Sequence, residues 1–101
     1  MSDQEYREQS YNSEIIWEGR LIRLSYTPRQ WKVIDHLEIR ADDGEPLPIT
    51  KSGYRSHHFG PMEPVLTMSE VEEMLTAWLD KEAQTKRWKN YVEQSRQLSL
   101  F

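Results

Sequence analysis

Ser69-Glu70-Val71-Glu72-Glu73-Met74-Leu75-Thr76-Ala77-Trp78-Leu79 is the stretch on which the fold class turns. Val71, Met74, Leu75, Trp78 and Leu79 fall at i, i+3, i+4, i+7 and i+8, the spacing of a helix that buries one face. Ser69 followed three residues later by Glu72 has the pattern of a capping box, in which side chains satisfy the orphan amides of the first turn. The expected helix spans 69–83. Thr85 opens a second and shorter helix over 86–96, with Trp88, Tyr91 and Val92 on its apolar side.

Upstream of this stretch the period changes to two. Residues 14–26 read as one strand. Ile15 and Trp17 share one parity, and Ile22, Leu24 and Tyr26 share the other. A bulge at Gly19 would add one residue and bring both sets onto one face. Thr27-Pro28-Arg29-Gln30 reads as a turn, with Pro28 fixing φ. A second strand is expected over 31–40, with Val33, Leu37 and Ile39 on one face. Ala41-Asp42-Asp43-Gly44 is a hairpin signal, leading to a third strand over 45–50 with Leu47 and Ile49 inward. Pro46 and Pro48 cannot donate to a ladder, so this would be an edge strand. After Ser52-Gly53, the segment Tyr54–Phe59 reads as a short strand or an ordered loop. Strands first and helices second imply an α+β fold. The expectation is an antiparallel meander of three to four strands, followed by one long and one shorter C-terminal helix.

A chain of 101 residues supports one domain with a single core, expected over 13–96. Residues 1–12 are polar and aperiodic, and are expected to be a disordered tail. Charged residues make up 30% of the chain, yet four Trp and five Tyr supply large surfaces for burial. Without cysteine there is no disulfide and no thiol chemistry, which fits a reducing cytosol. The first residues lack a basic and apolar leader pattern, and no apolar run approaches the ~20 residues of a membrane span. The expectation is a cytoplasmic protein that does not insert in membranes. A formal net charge of −4 opposes an electrostatic nucleic-acid binder. Arg20, Arg23, Arg29, Lys32, Arg40, Lys51 and Arg55 do fall in the first 55 residues. Solvated strand edges account for them more simply than a basic patch.

Few residues suggest chemistry. His57 and His58 are the obvious pair, with His36 as a third. Adjacent residues of a strand point to opposite faces, so the pair would not chelate one metal together. No Cys, HExxH or HxH spacing supports zinc. Ser56 beside a histidine lacks the G-x-S-x-G elbow of a hydrolase, and the scattered glycines build no phosphate loop. No cofactor, metal or catalytic set is expected. Tyr54, Arg55, His57 and His58 nevertheless follow a glycine in a dense polar and aromatic run, and form a candidate secondary site. The competing reading closes the core with Tyr54 and Phe59. Trp17, Tyr26, Trp31 and Tyr54 could stack on single-stranded nucleic acid, although core packing is the favoured reading.

The chain closes on Gln97-Leu98-Ser99-Leu100-Phe101. Three large apolar side chains there leave surface whose burial is worth about 1.5–3 kcal/mol each. In an extended peptide Leu98 and Leu100 share a face and Ser99 turns away. This pentapeptide resembles the motif by which bacterial replication and repair proteins dock on the sliding clamp, the ring-shaped β subunit of the replicative polymerase. The resemblance covers these five residues alone. It implies that Gln97 enters a small polar pocket, and that Leu98, Leu100 and Phe101 fill the adjoining apolar cleft. The partner would be the clamp, and the chain a non-enzymatic adaptor in replication, repair or clamp regulation, with residues 97–101 as its docking peptide. Two alternatives stand beside it: a small interaction domain, homodimers included, whose tail is structural, and a weak nucleic-acid binder using Tyr54–Phe59. The body's layout is similar to that of small bacterial strands-then-helices proteins, a likeness that carries no activity.

Overall fold

Glu18 and Gly19 both take positive φ, 49° and 79°, and so turn the apparent single strand into a hairpin. Positive φ at both central residues is what a tight two-residue hairpin turn requires, because its twist then matches that of the strands. The computed structural model describes residues 9–98. In it, β1 (Tyr11–Trp17) pairs antiparallel with β2 (Arg20–Gln30), with Ile15 opposite Ile22. The two parities of residues 14–26 therefore reach one face by a turn between two strands and not by a bulge within one. β1 also takes in Tyr11 and Asn12, from the stretch expected to be disordered.

The next turn lies later than Pro28 suggests. β2 runs on to Gln30, with its register shifted between Thr27 and Gln30. Pro28 sits in this irregularity, where its missing N–H costs no ladder bond. The buried Asp35 carboxylate holds the bend by accepting from the Tyr26 hydroxyl at 2.7 Å and the Arg29 amide at 3.0 Å. Burial first, and the Asp35 carboxylate second, push the Tyr26 hydroxyl well above the usual tyrosine range. Trp31 and Lys32 then turn the chain at φ 54° and 69°. β3 is Ile34–Ala41, so Val33 stays outside the strand and is 64% exposed, while Leu37 and Ile39 are buried as expected.

The strand expected over 45–50 does not form. Residues 45–50 form an irregular loop with one bridge, between Leu47 and Thr50. The two prolines remove the donors a ladder would need, yet Leu47 and Ile49 still reach the core. The fourth position of the sheet goes to β4, Tyr54–Phe59, which pairs antiparallel with β3. Strand order is β1-β2-β3-β4. Gly53 makes the entry to β4 possible. Its φ is +78°, and a Cβ there would lie 2.8 Å from the Glu45 carbonyl oxygen. Its own carbonyl accepts from the Ala41 amide at 2.8 Å. Gly53→Ala is expected to cost roughly 1–3 kcal/mol through strain. A thermal melt unchanged from the wild type would contradict this.

α1 (Met68–Glu82) is capped two residues earlier than the Ser69 pattern suggests. Thr67 is the N-cap and Glu70 completes the box, because extended backbone at Thr67 aims its hydroxyl at the Glu70 amide, 3.1 Å away. Glu72, freed from that role, accepts from the Ser13 hydroxyl of β1. Trp17 Nε1 donates to Asp80 at 2.8 Å, so α1 runs beside β1 in the same direction. Val71, Leu75 and Leu79 are fully buried, whereas Met74 and Trp78 are half-buried against the core. α2 (Lys86–Leu98) starts at the expected Thr85 cap, whose hydroxyl accepts from the Trp88 amide at 3.2 Å. Trp88 is buried, and Tyr91 and Val92 pack on the core from its edge. The architecture is a four-stranded antiparallel meander followed by two helices, an α+β fold. No helix among the described residues is long and apolar enough to cross a membrane.

Candidate functional site

One face of the sheet carries the core and α1. The other carries polar side chains in rows set by the pairing register. Glu14, Arg23, Arg40 and Tyr54 are successive partners across the four strands, and Asn12, Ser25, Glu38 and Ser56 form the next row. Thr27, His36 and His58 form a third. A shallow depression of about 710 Å³ lies over the first two rows.

The groups in it hold one another in place. Arg23 is bridged to Glu14 at 2.8 Å and to Asp42 at 3.1 Å. The Arg40 guanidinium lies 4.6 Å from the centre of the Tyr54 ring, an attraction of cation to ring face. The Tyr54 hydroxyl donates to Glu38 at 2.6 Å. That bond, with some burial, raises the Tyr54 hydroxyl above its ordinary value. At the sheet's other end the rings of Trp31, His58 and His36 stack in sequence, with centroids 6.0 and 4.1 Å apart. His36 Nε2 and Ser56 Oγ lie 2.7 Å apart. A hydroxyl and an imidazole at that distance have the spacing of a nucleophile and its base. Here the pair is exposed on the open face of the sheet. Among the described residues no three His, Cys, Asp or Glu side chains are grouped to hold a metal ion.

The secondary site read from the sequence is divided by the sheet. Tyr54 and His58 stand on the open face, and Arg55 and His57 on the helix face. Asp35 and His36 are likewise separated, one buried beneath the sheet and one above it. Of the four aromatic platforms, Trp17 and Tyr26 are core, while Trp31 and Tyr54 belong to the open face. Arg23, Glu38 and Arg40 carry the face but have no motif. Their shared parity opposite the apolar residues was the one signal available.

His57 lies between Phe59 and Trp78, with ring centroids 5.5 and 4.8 Å away, and Arg55 caps the same Trp78 ring at 5.0 Å. Burial, then the Arg55 charge, then His58 lower the His57 imidazole below its usual value. Its neutral form is therefore the one the fold prefers. The stability this gives is complete above the unfolded-state value near 6.5 and is lost as pH falls through the lower folded value. The melting temperature should decline on acidification from about pH 7 to pH 5. His57→Gln should flatten that decline, and an identical slope in the variant would contradict the assignment.

The terminal pentapeptide divides differently. Gln97 and Leu98 end α2. Leu100 and Phe101 lie outside the described residues.

A family model described as the KlcB third domain matches residues 10–88. The chain belongs to that family. No curated protein and no solved structure matches it. The KlcB third-domain match takes in the whole sheet, α1 and the first turn of α2 as far as the buried Trp88. The sheet's open face is thus part of the KlcB third domain, and the terminal pentapeptide lies beyond the matched stretch. The family's description names no activity.

Proposed function

We propose that this chain is a cytoplasmic, non-enzymatic adaptor. It docks on the bacterial sliding clamp through Gln97-Leu98-Ser99-Leu100-Phe101 and acts in replication, repair or clamp regulation. The observation that carries the reading is the complete, ungapped pentapeptide at the end of the chain. The family match ends at Trp88, before this pentapeptide, which is consistent with a peptide that acts separately from the body. Because Gln97 and Leu98 belong to α2, docking as an extended strand unwinds the last turn of that helix. A synthetic peptide ending in this sequence should bind the purified clamp by itself, read by fluorescence anisotropy. No binding at concentrations well above micromolar would overturn the proposal. A second reading, a small interaction domain, draws on the ordered Arg23–Arg40–Tyr54 row of the open face. In that reading the tail is structural and the body alone carries the interaction.

A further inference from the structure

β1 is an outer strand of the sheet. One flank pairs with β2, and among the described residues no strand lies along the other. Such a flank presents a row of N–H and C=O groups to any extended chain that fits. Proteins commonly blunt exposed edges with lysine, proline or a covering segment. Tyr11-Asn12-Ser13-Glu14-Ile15-Ile16-Trp17 has neither lysine nor proline, and it leaves Ile16 69% and Tyr11 44% exposed.

α1 runs beside this edge, tied to it at both ends by the Ser13–Glu72 and Trp17–Asp80 bonds. Between helix and strand lies a groove of about 570 Å³. Ile15 and Ile16 form its strand wall, and Thr76 and Ala77 belong to its helix wall. Glu14, Glu72, Glu73 and Asp80 supply four carboxylates, and no Lys, Arg or His lines it. Glu14 is paired with Arg23 on the sheet, but the partners of Glu72 and Asp80 are a hydroxyl and an indole N–H, which cancel none of their charge.

We propose that this groove binds an extended, basic segment of a partner protein, added to β1 as a fifth strand of the sheet. Main-chain hydrogen bonds to the free flank would give the affinity, and alternate side chains the specificity. Apolar side chains would meet Ile15, Ile16 and Ala77, and cationic ones the carboxylates. Charge selects the occupant. Nucleic acid is repelled by a groove of its own sign. A second copy would bring the same acidic groove, with no Lys, Arg or His in its lining to match the carboxylates. The groove belongs to β1 and α1 and the docking peptide to the end of α2, so the two proposals fail independently.

The test uses the intact chain and a fluorescein-labelled synthetic peptide that alternates lysine with valine. Anisotropy should show saturable binding that weakens with salt. The same peptide with glutamate for lysine should bind at least about tenfold more weakly. N-methylation of alternate backbone amides, on the edge facing β1, should abolish binding. Glu73→Lys and Ala77→Arg, both at exposed positions of α1, should each weaken binding about tenfold with an unchanged circular dichroism spectrum. Amide shifts on titration should map to β1 and the neighbouring flank of α1. Equal binding of the glutamate peptide, indifference to N-methylation, or shifts centred elsewhere would overturn the proposal. So would a concentration-dependent dimer joined through β1, which would make a second copy the occupant.

Discussion

Trp17→Ala is expected to destabilise the domain by about 3–5 kcal/mol, a large part of the ~5–15 kcal/mol available to a domain of this kind. Trp17 is 4% exposed and closes the end of β1 against both helices. Its indole N–H donates to Asp80 at 2.8 Å, and its ring centroid lies 6.5 Å from that of Trp88, tilted by 54°. Truncation leaves a cavity, removes the donor to Asp80 and takes away Trp88's ring partner at once. Trp17→Phe separates these effects, since it keeps much of the volume and loses the N–H, for about 1 kcal/mol from that bond and little more. Trp78→Ala should cost less than Trp17→Ala, because Trp78 is half-buried and faces Arg55 and His57 rather than the core centre. Urea denaturation ranks the three. A Trp17→Ala midpoint equal to the wild type would show that the ring is not a core member.

The second large effect concerns the docking peptide. Leu100→Ala or Phe101→Ala should each remove most of the affinity for the clamp. Emptying one apolar pocket forfeits about 2–3 kcal/mol, roughly thirtyfold to more than a hundredfold in Kd. The parent peptide should bind at micromolar Kd, about −8 kcal/mol, after the cost of ordering an extended chain is met. Ser99→Ala should be nearly silent, because that side chain turns away from the cleft. Gln97→Ala should fall between, losing hydrogen bonds but little apolar area. Equal losses at all five positions would point to a non-specific hydrophobic contact. Titration calorimetry of the peptide series against purified clamp measures each value.

Much of this fold is legible from period and order. The helix built on Val71, Leu75 and Leu79 is unmistakable, because a stripe of that spacing has one stable use. The strands are less so, because their boundaries depend on backbone dihedrals that several residue types adopt. Glu18-Gly19 makes a hairpin where glycine in a strand can equally mark a bulge. Arg29, Trp31 and Lys32 take positive φ with no glycine or asparagine to announce it, and the buried Asp35 that anchors the bend acts across the turn from Arg29. Residues 45–50 keep the inward Leu47 and Ile49 of a strand but not its ladder, since proline decides hydrogen bonding and leaves burial alone. Thr67 displaces Ser69 as the cap, because both satisfy the same pattern and only the chain's exit angle chooses. The open face was the least legible feature. Its residues are far apart in sequence and gather only through strand register, which places Arg23 beside Arg40 and Arg40 beside Tyr54.

The central claim is that the body and the terminal peptide are separable, with the peptide carrying clamp recognition. The most direct measurement compares the intact chain with one lacking residues 97–101, each titrated with purified bacterial sliding clamp and each melted alone. The deletion leaves Trp88, Tyr91 and Val92, the described residues of α2 that pack on the core, in place. The account predicts micromolar binding by the intact chain, none by the shortened chain, and the same melting temperature for both. Clamp binding that survives the deletion, an intact chain that ignores the clamp, or a shortened chain that no longer folds would contradict it.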